Sequence, residues 1–123
     1  TGMLLMSFAA WMYAIGTALT RGRTIILERE RLRQLRLHGL EALCESLTAS
    51  QRFGEAVAAG TAAVAGEPLR ESAHRALIAT YLAEGNACEA LRQYGLCREL
   101  LDRHLGLTPS AALDRLVEDV RIR

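Results

Sequence analysis

Polar and apolar positions along the chain alternate with helical rather than strand period, and the segments are separated by short breakers. Leu32, Leu35, Leu40, Leu43 and Leu47 recur at spacings of three, four and five, with Glu28, Glu30 and Glu41 early and Thr48, Ser50 and Gln51 at the end. That pattern predicts a helix over about 27–48. A second helix, over about 52–65, is rich in small residues, with Ala56, Ala59, Ala63 and Val64 around Gly60. Gly66 is expected to end it in the left-handed conformation, and Pro68 to sit in the first turn of the next helix. The third helix reaches about Ala83 with Leu77, Ile78, Tyr81 and Leu82 on one face. Gly85 then makes a tight turn, and Asn86 with Glu89 resembles a capping box opening the fourth helix. Gly106 stops that helix, Thr108 is the expected N-cap with Pro109 behind it, and Leu113, Leu116, Val117 and Val120 line a last helix to about Arg121.

Ahead of these helices lies a different kind of segment. Residues 1–20 carry no charge, and Met3–Leu19 is a nearly unbroken apolar run. At about 1.5 Å per residue such a run reaches roughly 27 Å, the lower edge of a membrane span, and Arg21 and Arg23 would supply a positive flank. Ser7, Gly16 and Thr17 weigh against a span, and no basic residue precedes the run as in a signal peptide. A core or partner-covered helix, a membrane anchor through residues 3–19 and a truncation product are the alternatives. The expected division is an apolar N-terminal helix and linker over 1–24 and a helical domain over 25–123.

Composition narrows the fold class. Leu (21) and Ala (20) make a third of the 123 residues, whereas Val and Ile together number nine, so helix formers dominate and residues suited to pleated sheet are scarce. An all-α protein follows. With 15 basic and 14 acidic residues the chain is neither a polyanion-binding arm nor a disordered tail. All the basic residues are arginine, a skew that together with the alanine content points to a GC-rich genome.

Shifting the chain by 34 residues against itself lays Leu40 on His74, Leu43 on Leu77, Cys44 on Ile78, Leu47 on Tyr81, and Glu55–Ala56 on Glu89–Ala90. Helix pairs recurring at that period are the mark of tetratricopeptide arrays. Two degenerate repeats flanked by N- and C-terminal helices are therefore expected, packed as antiparallel pairs with Ala56 and Ala90 at close helix crossings. Copy one departs from the pattern at Gly60, where the second aromatic would stand and where copy two has Tyr94.

Four ordered stretches sharpen this: ERERLRQLRLHGLEAL (Glu28–Leu43), EPLRESAHRALI (Glu67–Ile78), LAEGNACEALRQYGLCRELL (Leu82–Leu101) and LGLTPSAALDRLV (Leu105–Val117). Together they resemble the bacterial transcriptional activator domain of SARP-type antibiotic regulatory proteins. The resemblance implies a tetratricopeptide-like domain that follows a winged-helix DNA-binding domain and serves regulation, dimerisation and contact with the transcription machinery in the cytoplasm. No helix-turn-helix or basic recognition helix stands upstream of it here, so specific DNA binding by this chain alone is not expected.

Chemistry adds little to this picture. Arg21, Arg23, Arg29, Arg31, Arg33 and Arg36 place six arginines in sixteen residues, a pattern able to attract phosphate. Glu28 and Glu30 are interleaved and no aromatic is available to stack on bases, so a solvated helix face is expected instead and no DNA-binding residue is assigned. Cys44, Cys88 and Cys97 are odd in number, lie in apolar helical patterns and lack zinc spacing, so free thiols and no metal are expected. His38, His74 and His104 share no local motif with a nucleophile, and no phosphate-binding glycine loop or hydrolase motif occurs. The expectation is a non-enzyme with no catalytic, cofactor-binding or metal residues and no small-molecule substrate, whose partner is itself or another protein.

Overall fold

The computed structural model describes the backbone of residues 2–122 and the side chains of residues 8–121. Five helices follow one another: α1 (Gly2–Ala49), α2 (Phe53–Gly66), α3 (Glu71–Glu84), α4 (Ala87–Leu105) and α5 (Ala111–Ile122). Among the described residues there is no strand. The all-α expectation holds.

α1 corrects the expected start near residue 27, because it runs without a break from Gly2. The physical reason lies in what the boundary lacks. Both prolines, Pro68 and Pro109, come later in the chain, so nothing before them removes a backbone donor. Thr17, Thr20 and Thr24 turn their hydroxyls back to the carbonyls of Tyr13, Gly16 and Thr20 at 2.9, 2.8 and 3.0 Å, which satisfies these polar groups inside the helix. Glu28 and Glu30, expected in a first turn, instead pair with Arg31 and Arg33 one turn further on.

Two compact units divide the chain, Thr1–Leu35 and Arg36–Arg123. In the first, the side chains from Phe8 to Leu35 lie on one helix, and its large apolar residues are exposed. Residues 3–7 of the run Met3–Leu19 lie outside the residues whose side chains are described. Among those that are, no helix is long and apolar enough to cross a membrane.

The second unit holds the core. α2 packs on α3, α3 on α4 and α4 on α5. One buried cluster joins Cys44, Ala59 and Ala76, with Leu47 against it. A larger one gathers Ile78, Ala90, Tyr94, Cys97, Leu101, Leu113 and Val117. The repeat register shows in the matched pairs, since Cys44 and Ile78 are fully buried, as are Ala56 and Ala90. It fails at Leu43, which is 49% exposed where its counterpart Leu77 is 2%. α3 lies between α2 and α4, whereas no described element covers that side of α1.

Three helix ends differ from expectation. Gly66 is the last helical residue of α2 and is not left-handed; Glu67 beyond it is extended, at φ −153°. A Cβ there would stand 2.6 Å from Leu37 Cδ2, so any larger residue would have to displace the end of that side chain. Pro68 therefore lies in the turn before α3 rather than in its first turn. Asn86 occupies the N-cap of α4 without a side-chain cap, and its backbone N–H donates to Tyr81 O at 2.8 Å as part of the turn that closes α3. Glu89 pairs with Arg92 instead of reaching back. At α5 the cap is Ser110, whose Oγ accepts from the Leu113 N–H at 3.3 Å, and not Thr108. Gly85 and Gly106 do adopt the left-handed conformation, at φ 86° and 62°.

The close crossing at Ala90 leads to a direct test. Ala90→Leu should cost about 1–3 kcal/mol by overpacking, whereas Glu89→Ala should cost under about 1, since its pair with Arg92 is largely solvated. Urea unfolding of the two variants measures both, and equal losses would mean that the repeat register is wrong.

Candidate interaction surface

The histidines and cysteines are dispersed rather than gathered. His38 lies exposed on α1, His74 is buried on α3 and His104 is exposed near the end of α4. Cys44 and Cys97 are buried and Cys88 is exposed, all as free thiols. Burial, with a smaller push from the Glu71 carboxylate, raises the Cys97 thiol to about 11. It is held as the unreactive thiol. No group of His, Cys, Asp or Glu among the described residues could hold a metal ion.

Polar side chains instead tie the helices together. Glu41 of α1 is nearly buried, and Arg70 Nε donates to its Oε1 at 2.6 Å while Ser72 Oγ donates to the same oxygen at 2.8 Å. Arg70 Nη2 also lies 3.2 Å from His38 Nδ1. The turn between α2 and α3 is thereby fastened to α1 by a charge-assisted contact withdrawn from water. Deeper in, Thr80 Oγ1 lies 2.7 Å from Thr48 Oγ1 and 3.2 Å from Cys44 Sγ. No buried side-chain polar atom among the described residues lacks a partner.

α5 is docked from two sides. Tyr94 of α4 donates its hydroxyl to Asp114 Oδ1 at 2.5 Å, and Arg121 sits over the Tyr94 ring, 5.6 Å from its centre. The bond to Asp114, aided by burial, holds the Tyr94 hydroxyl above its ordinary pKa. At the other end Glu71 accepts from the Ser110 hydroxyl and from the Ser110 N–H.

His74 is a buried group whose protonation is linked to folding. One ring nitrogen, Nε2, lies 2.7 Å from the Pro68 carbonyl and the other, Nδ1, 2.8 Å from the Gln93 amide nitrogen. Neutral imidazole meets both demands, donating to Pro68 and accepting from Gln93. Burial accordingly lowers the His74 pKa below 6.5, against smaller upward pulls from the Pro68 bond and Glu71. Below pH 6.5 the unfolded chain takes up a proton that folded His74 refuses, so stability falls as pH drops from there to the lowered folded value. The melting temperature should therefore drop more between pH 7.5 and 5.5 in the parent chain than in His74→Gln. Parallel drops would show that His74 is not the group responsible.

The six arginines between residues 21 and 36 do not form one stripe. At about 100° per residue they spread around most of the circumference of α1. Two of them are engaged in exposed pairs, Arg31 with Glu28 at 3.8 Å and Arg33 with Glu30 at 3.2 Å. Phosphate is offered no concentrated face.

What the geometry defines among the described residues is thus a helical array whose buried polar groups tie its helices together. The chain belongs to the bacterial transcriptional activator domain family, whose pattern it matches over residues 6–121. Neither the curated proteins nor the solved structures give a significant match. The contacts that sequence reasoning missed are the Glu41–Arg70–Ser72 network and the Tyr94–Asp114 bond. Their partners stand 29 and 20 residues apart, where no local spacing rule reaches.

Proposed function

We propose that the chain is the regulatory and protein-interaction part of a SARP-type bacterial transcriptional regulator, working in the cytoplasm by associating with itself or with the transcription machinery. In this reading residues 25–123 carry the regulatory domain and residues 1–24 are its apolar extension. It is neither an enzyme nor the part that reads DNA sequence. The carrying observation is the deployment of basic charge: the arginines are dispersed around α1, and no described segment joins a short turn to a basic recognition helix. Specificity requires side chains that reach base edges from an element fitted to a groove. Membership of an activator-domain family supports the regulatory role.

A gel shift at about 150 mM salt, where contacts to phosphate alone weaken, tests the claim. The chain should not distinguish promoter DNA from a scrambled duplex. Clear discrimination at that salt would overturn it.

A further inference from the structure

We infer that residues 8–32 of α1 form a parallel, in-register coiled coil with the same segment of a second copy of this chain. The inference deepens the self-association named above by giving it a surface. Along this stretch the apolar side chains keep a seven-residue period. Phe8 and Ile15 fall on the first position of the first two heptads, Gly22 and Arg29 follow on that position in the next two, and Trp11, Ala18, Ile25 and Leu32 fall on the fourth. Met12, Leu19 and Ile26 widen the seam on one side.

None of these residues is covered by the chain's own fold. Trp11 is 58% exposed, Leu19 66% and Ile26 67%. Exposed apolar side chains aligned along one stripe of a helix mark an interaction surface.

Charge selects the occupant and its direction. Glu28 falls on the seventh position of its heptad and Arg33 on the fifth of the next, the two that meet across a parallel dimer. Each copy then places Glu28 beside Arg33 of the other, and the pair occurs twice by symmetry. The pairs that these residues make within α1 are solvent-exposed and weak, so they can be exchanged for the contact across the dimer. Arg29 is the one charged residue on a first position. It lies next to Glu28 of the opposite helix and acts as a register pin, costing stability and excluding shifted pairings. An antiparallel pairing would instead set the uncharged stretch of Phe8 and Trp11 against the arginines beyond Thr20.

A bilayer does not fit the same surface. The seam runs on past Arg21 and Arg23 to Leu32, through a region flanked by charge on both sides, and a membrane would cover only the part before Arg21. A second helix covers all of it.

The test uses the full chain with Cys88→Ser, since Cys88 is the exposed thiol. Sedimentation should give a species of twice the 13.5 kDa chain mass at micromolar concentration. In that background Ala18→Cys and Ile25→Cys should each form an intermolecular disulfide under mild oxidation, and Thr24→Cys, one residue off the seam, should not. Glu28→Arg should weaken dimerisation about tenfold, and adding Arg33→Glu should restore it. Circular dichroism confirms that each variant is folded. A monomer at every concentration, equal cross-linking at Thr24→Cys, cross-linking at only one seam position, or flotation with phosphatidylcholine–phosphatidylglycerol vesicles in place of dimerisation would each overturn the coil. A monomer that ignores operator sequence would sink the coil and leave the regulatory reading standing, because the gel shift does not depend on α1 pairing.

Discussion

Arg70→Met should lower the unfolding free energy by about 3 kcal/mol, close to what breaking a buried ion pair costs when one charge stays behind. The Glu41 side chain keeps only 12% of its surface in contact with solvent, and Arg70 supplies the cation at 2.6 Å. With methionine at 70, the Ser72 hydroxyl at 2.8 Å is the bond that remains to Glu41 Oε1, and one neutral donor does not replace a guanidinium. Glu41→Met should cost less, about 1–2 kcal/mol, because the longer arginine side chain can swing its charge toward water. The double variant should lose less than the sum of the single losses, since two apolar side chains of similar volume leave no orphaned charge. Urea unfolding of all four chains gives the coupling. Strict additivity would mean that the pair contributes nothing beyond its separate parts.

That network also marks the limit of what the sequence makes legible. Periodicity and the 34-residue offset expose the helical class, the matched burial of Ala56 with Ala90 and of Cys44 with Ile78, and the turns at Gly85 and Gly106, because each depends on neighbours close in the chain. The start of α1 departs from expectation because a change of composition near residue 20 resembles a boundary, whereas no proline stands there and the helix carries on through Gly22. Gly66 departs from expectation for a related reason. A glycine at a helix end suggests a left-handed cap, but what stands against a side chain here is the end of Leu37, 29 residues earlier. Capping at Ser110 rather than Thr108 follows from where α5 begins, at Ala111, directly after Ser110, and Glu71 of α3 then accepts from the Ser110 hydroxyl. Contacts of this kind are set by the assembled fold, and local rules are blind to them. The polar candidates fared likewise: His74 sits at a repeat position and is buried as a packing residue would be, yet its partners Pro68 and Gln93 are visible only once α3 and α4 are side by side.

Gly60→Phe, which would restore the aromatic that copy two carries as Tyr94, should cost about 3 kcal/mol or more and leave the chain marginally folded. The matched positions are alike in register and opposite in surroundings. Tyr94 is accommodated because α5 lies beyond it and Asp114 receives its hydroxyl. Gly60 is buried with no such space: a Cβ there would stand 3.1 Å from Cys44 Sγ, 3.1 Å from Leu77 Cδ1 and 3.2 Å from Leu77 Cβ. One added carbon can be absorbed by small shifts, and alanine also favours the helix by about 1 kcal/mol, so Gly60→Ala should stay within about 1 kcal/mol of the parent. A phenyl ring cannot be absorbed, because α1 closes one side of the site and α3 the other. Leu77→Ala in the Gly60→Phe background should recover part of the loss, since it vacates the volume the ring needs, although Leu77→Ala alone should itself cost about 2–5 kcal/mol. Thermal and urea unfolding of the four chains would measure this exchange. A Gly60→Phe chain as stable as the parent would show that Cys44 and Leu77 do not close over α2 at this point, and that the departure of copy one from the repeat pattern has no basis in packing.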